Sequence, residues 1–262
     1  MRSAVIVDAV RTPIGRRNGI LKDWHPVDLS GLVIATLLER TGADPERVDD
    51  VIWGCVSQTG EQTGNIGRFA ALAAGLPEHV PGVAIDRQCG SSQQAVHFAA
   101  QAIMAGVQDV VVAGGVESMT RIPMGVTYSQ GPGQAFGPMV MERYDGRLVP
   151  QGLSAAMMAE KWGVTRTRLD EISTDSHARA ARAIDEGRFD TQVVPVEVKD
   201  ETGQISMVTV DEGLRRGTTV EKLAGLKPAF KEDGVVTAGN SSQISDGSAA
   251  LLVAGEDVAE AM

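Results

Sequence analysis

Apolar runs of a few residues alternate with helical patterns through the first 115 residues. After Asp28, which suits a helix N-cap, apolar residues recur at three-and-four spacing and predict an amphipathic helix. Glycines at 75 and 106 are expected to end two further helices. The predicted strands are residues 4–10, 50–56, 83–87 and 110–113, and the two further helices are residues 65–74 and 91–105. This alternation predicts a mostly parallel sheet with helices on both faces.

The pattern changes after Gly115. Residues 121–152 are rich in Gly, Pro, Met and Gln with weak periodicity, which predicts an extended loop region. Beyond it the pattern predicts helices over 154–162 and 168–186, and strands over 192–198 and 205–210. The segment 214–231 is basic, because it holds five Lys or Arg residues and one Glu.

A last apolar run, residues 249–254, is typical of the strands in the first 115 residues. We therefore expect an α/β fold in which a mixed, mostly parallel sheet carries helices on both faces. Residues 1–115 form its core in this interpretation, and 116–248 form an inserted α+β loop domain. Residues 249–262 supply a return strand and the start of a helix.

Composition narrows the possible functions. The chain has 262 residues, 43% of them hydrophobic, and a formal net charge of −10. A diffuse negative charge argues against nucleic acid or an anionic membrane as the main partner. No apolar run approaches the ~18 residues of a membrane-spanning helix, and the strand pattern begins too early for a signal peptide. The expected location is the cytoplasm.

The two cysteines differ in their surroundings. Cys55 and Cys89 belong to no C-x-x-C pair, which fits a reducing compartment and speaks against a metal site. Cys89 follows a predicted strand and precedes a predicted helix, where unpaired N–H groups and the helix dipole favour a thiolate. Gly90 leaves room beside the sulfur for an acyl group. Cys89 is a candidate nucleophile with a buried structural cysteine as the alternative, whereas Cys55, in mid-strand, is expected to be structural.

Four segments together resemble the signatures of one enzyme family. They are residues 11–15 (RTPIG), 85–95 (IDRQCGSSQQA), 114–119 (GGVESM) and 237–247 (TAGNSSQISDG). In order and spacing they are similar to thiolases, and the resemblance covers essentially the whole chain. It implies a βαβαβαββ half with a coenzyme A-binding insertion. It also implies that Cys89 is acylated by an acyl-CoA thioester, in thiolytic cleavage of a 3-oxoacyl-CoA or in the reverse Claisen condensation.

The resemblance assigns coenzyme A contacts as well. Arg215 and Phe230 would lie around the nucleotide end, one contributing charge and the other stacking. Ala238 would contact the pantetheine arm through its backbone, and Ser242 would hydrogen-bond its amides. A solvated basic face is the alternative for Arg215, and a turn or helix cap is the alternative for Ser242. Residues 150–153 (PQGL) depart from the family stretch that contacts pantetheine, which puts contacts from that loop in doubt.

The family's acid and base groups do not occur in this sequence. Thiolases carry a His, an Asn and a second Cys in N-E-A, G-H-P and C-x-G motifs of a C-terminal half, and none of these motifs is present. The histidines of the chain match none of these roles; they are His25, His79, His97 and His177. The chain is thus expected to be a truncated thiolase or one half of a split enzyme, and to be inactive alone.

Other functions and partners follow from the same residues. A non-catalytic CoA-binding subunit of a split or degenerate thiolase is one alternative; a related condensing enzyme, a ketoacyl synthase, is another. CoA, acetyl-CoA and acyl-CoA are expected as substrates, with no tightly bound cofactor and no metal. We expect a homodimer, a homotetramer or a partner chain that supplies the missing half. Gln93 and Gln94, together with residues 242–245 (SQIS), resemble the corresponding residues of actinobacterial thiolases that shorten sterol side chains. A role in general fatty-acid degradation or with acetoacetyl-CoA is equally open.

Overall fold

A computed structural model describes residues 2–262. The strands are β1 (Ala4–Arg11), β2 (Gly15–Arg16), β3 (Asp50–Gly54), β4 (Gly82–Ile85), β5 (Val110–Ser118), β6 (Val196–Lys199), β7 (Ile205–Val208) and β8 (Ser245–Gly255). The helices are α1 (Pro26–Thr41), α2 (Ile66–Ala73), α3 (Ser91–Met104), α4 (Val126–Ser129), α5 (Pro138–Arg143), α6 (Gln151–Lys161), α7 (Arg166–Asp185), α8 (Val220–Ala224) and α9 (Glu256–Ala259).

The main sheet has the strand order β1-β8-β5-β3-β4, with β2 also paired to β8. Strand β3 is parallel to both β4 and β5. Strand β8 lies between β1 and β5 and is antiparallel to both. Four of the five long strands therefore run in one direction and β8 runs against them, which confirms the mixed, mostly parallel sheet.

Helices cover both faces of this sheet, as predicted. On one face α1 and α2 pack against alternate strand residues such as Val51 and Trp53 of β3. On the other face α3 packs against Ile52 and its neighbours through Ala95, Ala99 and Ile103. Successive strand residues point to opposite faces, so each central strand contributes to two apolar layers. This explains why β3 and β5 are apolar almost throughout.

The first turn of α3 lies directly against the carboxyl ends of β3 and β5. A Cβ at Gly54 would overlap the backbone of Ser91 and Ser92, and one at Gly115 would overlap the Ser92 hydroxyl and the Gly54 carbonyl. Only glycine lets backbone approach backbone this closely. The two glycines therefore set the height of α3 above the sheet.

Several predicted boundaries were wrong. Residues 121–152 are not loop throughout, because the short helices α4 and α5 and the start of α6 lie there. Strand β6 starts at Val196 rather than at 192, although Val193 forms an isolated parallel bridge with Arg11. Strand β8 starts at Ser245 rather than at 249. Its polar first half is held by backbone pairing with β5 and β2, which an apolar pattern does not reveal.

The chain forms two compact units. The first comprises the chain up to Gln130, Asp190–Glu212 and Ile244–Met262; the second comprises Gly131–Phe189 and Gly213–Gln243. It stays a prediction that residues 1–115 form the core, that 116–248 form a CoA-binding insertion and that 249–262 form a return segment. Across residues 2–262 no helix is both long enough and apolar enough to cross a membrane.

Because α3 packs closely on the sheet, one added methyl group at position 54 is expected to lower the stability of the fold. Gly54→Ala should lower the free energy of unfolding by ~1–3 kcal/mol, because α3 must shift to admit the Cβ. Urea denaturation followed by circular dichroism measures this loss. Gly225→Ala is the control, since its φ of −74° suits alanine and the nearest atom to its Cβ, the Lys222 carbonyl oxygen, would lie at 3.6 Å; it should change the free energy by less than about 0.5 kcal/mol. Equal stabilities of the two variants would contradict the close contact.

Candidate functional site

Cys89 lies at the turn between β4 and α3, in the first unit, and it is exposed to solvent. Gly90 is the N-cap residue of α3, which begins at Ser91. Gln88 has a φ of 49° and so adopts the left-handed conformation. The turn is therefore sharp and presents Cys89 at its tip, next to the N–H groups of the first turn of α3 that have no partner within the helix. This is the strand-to-helix junction that the sequence predicts.

Local hydrogen bonds hold this turn. Asp86 Oδ1 accepts the Gln88 N–H at 2.7 Å. Ser91 Oγ accepts the Arg87 N–H at 2.9 Å and donates to the Gln88 carbonyl at 2.6 Å. A non-glycine residue in the left-handed region costs about 1–2 kcal/mol, and these contacts offset that cost. The role of Asp86 and Ser91 was not predicted, although an Asp two residues before a turn residue is a recognisable signal.

A second network fixes the loop that follows β3. Glu117, near the end of β5, accepts the Val56 N–H at 2.8 Å and the Ser57 N–H at 3.2 Å. It also accepts the side-chain amide of the buried Gln62 at 3.1 Å. Gln62 in turn accepts the Ser118 N–H at 2.7 Å. Glu117 and Ser118 of the segment 114–119 thus link the end of β5 to the loop that follows the parallel strand β3.

Cys55 is chemically different from Cys89. Its relative exposure is 1%. Burial raises the pKa of the Cys55 thiol, and the nearby carboxylates of Glu117 and Asp86 raise it further. A thiol that stays protonated is a poor nucleophile. The structure therefore agrees with a structural role for Cys55.

All four predicted coenzyme A contacts lie in the second unit. Arg215, Phe230, Ala238 and Ser242 are all exposed. The ring of Phe230 packs over Gly152 of α6, where a Cβ would overlap the ring. The segments before Phe230 and before Ala238 pair with each other, because the Ala229 N–H donates to the Val236 carbonyl at 2.9 Å. Their contact with coenzyme A stays a prediction.

The basic residues of 214–231 differ in their partners. Arg216 is paired with Asp185 at 2.6 Å and Lys231 with Glu160 at 3.8 Å. Lys222 donates to the Gly217 carbonyl at 2.7 Å. Within residues 2–262, Arg215 and Lys227 have no carboxylate within 4 Å of their charged groups. Two cations of this segment are therefore available to an anionic ligand.

Each histidine of the first unit lies in a different environment. His25, rather than the predicted Asp28, caps α1, since its Nδ1 accepts the Val27 N–H at 3.2 Å. His79 is exposed and lies 3.8 Å from Glu46. His97 is on the exposed side of α3. Within the described part of this unit no imidazole is hydrogen-bonded to Cys89, so the first unit supplies no base in contact with its sulfur.

Comparison with known proteins assigns this fold and these motifs to a family. The family model described as "Thiolase, N-terminal domain" matches residues 4–257. The steroid 3-ketoacyl-CoA thiolase FadA6 of Mycobacterium tuberculosis is 47% identical over 98% of this chain and 63% of its own length. The 3-ketoacyl-CoA thiolase of Aliivibrio fischeri is 42% identical over 99% of this chain and 66% of its own.

Solved structures agree. The crystal structure of the Bacillus anthracis acetyl-CoA acetyltransferase superposes with a TM-score of 0.87 at 40% identity, covering 100% of this chain and 67% of that one. The chain therefore spans about two thirds of the length of the proteins it matches, and the match lies in their N-terminal part.

The contrast between the two cysteines predicts their order of alkylation. Brief treatment of the folded protein with iodoacetamide should label Cys89 well before Cys55, because only Cys89 is exposed and the thiol of Cys55 stays protonated. Peptide mass analysis measures both sites in one sample. Labelling in urea is the control, since unfolding should make the two rates similar. Preferential labelling of Cys55 in the folded protein would rule out Cys89 as the more reactive thiol.

Proposed function

Because the chain belongs to the thiolase family, we propose that it works in acyl transfer between coenzyme A thioesters and that Cys89 carries the acyl group. The observation that supports this most directly is the exposed position of Cys89 at the N-terminus of α3. The Cys89 thiolate attacks the thioester carbonyl, the C–S bond to coenzyme A breaks, and the coenzyme A thiolate leaves. The product of this half-reaction is an acyl thioester on Cys89.

The second half-reaction regenerates the cysteine. In condensation, the α-carbon of a second acyl-CoA loses a proton and attacks the Cys89 acyl group, which expels the Cys89 thiolate and forms a 3-ketoacyl-CoA. Thiolysis runs these steps in reverse. The relatives named as 3-ketoacyl-CoA thiolases support this pair of substrates. One relative is named for steroid substrates, which supports a role in steroid side-chain degradation alongside fatty acids.

Coenzyme A is proposed to bind on the second unit. Arg215 has no carboxylate within 4 Å among the described residues and is proposed to meet the phosphates, with Lys227 as a second cation. Phe230, held against Gly152, offers a ring face for the nucleotide. Ala238 and Ser242 lie on one exposed loop and are proposed to line the pantetheine arm.

The acid and base groups are proposed to come from the remaining third of a thiolase, in the same polypeptide or in a partner chain. The exposed side of α3 supports this idea, because the helix that begins at the Cys89 turn presents the apolar side chains of Phe98 and Met104 to solvent. A non-catalytic coenzyme A-binding subunit is the second candidate. The observation that favours it is the lack of an imidazole on Cys89 within the described first unit.

A second copy of the chain is the proposed partner of the sheet edge. Strand β4 is the last strand of the sheet, and Val83 on it is exposed. Phe69 and Leu72 of the neighbouring α2 are exposed as well. An unpaired edge with apolar side chains favours pairing with a second chain. A homodimer or homotetramer in the cytoplasm is proposed, and the two free cysteines fit that reducing compartment.

The coenzyme A proposal predicts different effects for two neighbouring arginines. Arg215→Ala should weaken coenzyme A binding by ~1–3 kcal/mol, the scale of one charge-assisted contact. Arg216→Ala is the matched control and should change affinity little, because its guanidinium already pairs with Asp185. Isothermal calorimetry measures both, and added salt should weaken wild-type binding. Equal affinity of Arg215→Ala and wild type would remove Arg215 from the site.

Activity should depend on the rest of the enzyme. The 262-residue chain is expected to cleave acetoacetyl-CoA near the background rate, because each missing proton-transfer role costs ~10²–10⁴-fold. A longer polypeptide that also carries a thiolase C-terminal half should turn over, and its Cys89→Ala variant should not. Thiolysis is followed by the loss of 3-ketoacyl-CoA absorbance. Ordinary enzymatic turnover by the 262-residue chain would show that its own residues suffice.

A further inference from the structure

One carboxylate is completely buried in the second unit. Asp170, on α7, has a relative exposure of 0%. Its Oδ2 accepts Arg166 Nε at 2.7 Å, and its Oδ1 accepts the side-chain amide of Asn240 at 3.0 Å. A buried carboxylate is stable only when both oxygens are paired. Here one oxygen pairs with a cation and the other with an amide from a segment 70 residues away in sequence.

The Asn240 side chain also forms hydrogen bonds with the backbone of the loop around it. Its Oδ1 accepts the Thr237 N–H at 2.8 Å, and its Nδ2 also donates to the Val235 carbonyl at 3.1 Å. Ser241 Oγ donates to the Thr237 carbonyl at 2.6 Å. The loop from Val235 to Ser241 thus folds around the Asn240 side chain, and that side chain is held by Asp170.

Arg166 links the same carboxylate to a second segment. Its guanidinium donates to the carbonyls of Leu223 and Leu226, the latter at 3.2 Å. These residues lead to Phe230, and both side chains also lie close to Gly239, where a Cβ would overlap them. One carboxylate therefore connects the segment before Phe230 with the loop that carries Ala238.

We propose that Asp170 is the positioning residue of the coenzyme A surface: through Asn240 and Arg166 it holds in register the two segments that carry Phe230, Ala238 and Ser242. This inference rests on the proposed coenzyme A function. Asp170 itself does not touch the ligand. It acts by fixing the loop backbone before the ligand arrives, which lowers the conformational cost of binding.

A second ion pair on α7 is exposed rather than buried. Asp175 and Arg179 have the same spacing as Arg166 and Asp170 and lie 2.7 Å apart, but their side chains are 57% and 72% exposed. Asp175 therefore provides a matched control on the same helix.

The test exchanges the two partners. Asp170→Asn leaves Arg166 without its counter-charge, and Asn240→Asp places two carboxylates together. Each should weaken coenzyme A binding at least about tenfold in calorimetry, ~1.4 kcal/mol, the scale of one hydrogen bond to a charged group. The double exchange restores one amide-to-carboxylate pair, in which residue 240 still accepts the Thr237 N–H, but residue 240 no longer donates to the Val235 carbonyl and Arg166 faces an amide. Its affinity should therefore recover only in part, to a value above that of both single variants. Asp175→Asn should leave affinity unchanged.

The outcomes separate this inference from the proposed function. Wild-type affinity in Asp170→Asn, with Arg215→Ala still weakened, would overturn the positioning role alone. Absence of coenzyme A binding by the wild-type chain would overturn the proposed binding surface and this inference together. Thermal melting by circular dichroism checks folding. If a single variant does not fold, the double exchange decides: recovered affinity supports the pairing, and affinity no better than that of the single variants overturns it.

Discussion

The contact between the first turn of α3 and the ends of β3 and β5 is the constraint on which the position of Cys89 depends. Two backbones meet there without side chains between them, because Gly54 and Gly115 leave the space open. The helix dipole is brought close to the strand ends, and the chain must turn sharply at Gln88 to enter α3. Glu117 then ties the loop that follows β3 to the end of β5.

Much of the fold was predictable because it rests on apolar periodicity. Strands β3 and β5 and helix α3 are bounded by polar residues or glycine and bury one or two clear faces, and β1 begins with a run of four apolar residues. Helices α4 and α5 have no buried residue and no period to detect. The first half of β8 is rich in serine and aspartate, and it is a strand only because β5 and β2 offer backbone partners. Strand partners that are distant in sequence produce no local sequence pattern.

The candidate site shows the same limit. Cys89 could be singled out because a cysteine at a strand-to-helix junction has a recognisable local pattern and lies in one of the four family-like motifs. Only the family resemblance set Arg215 apart from Arg216, because the physical difference between them is the position of Asp185 in space. Asp170 looked like one charged residue among many on α7. Its importance follows from burial and from a partner 70 residues away.

The placement of β8 has a consequence for synthesis on the ribosome. β1 is translated first, yet its strand partner β8 is translated after more than two hundred further residues. At ~5–20 residues per second, this delay is on the order of 10–50 s. During that interval β1 and β5 each present an unpaired edge to other nascent chains. The second unit is complete before β8 emerges, so it can fold while the main sheet is still open. Strands β1 and β5 can therefore be joined into one sheet only after β8, which lies between them, has been translated.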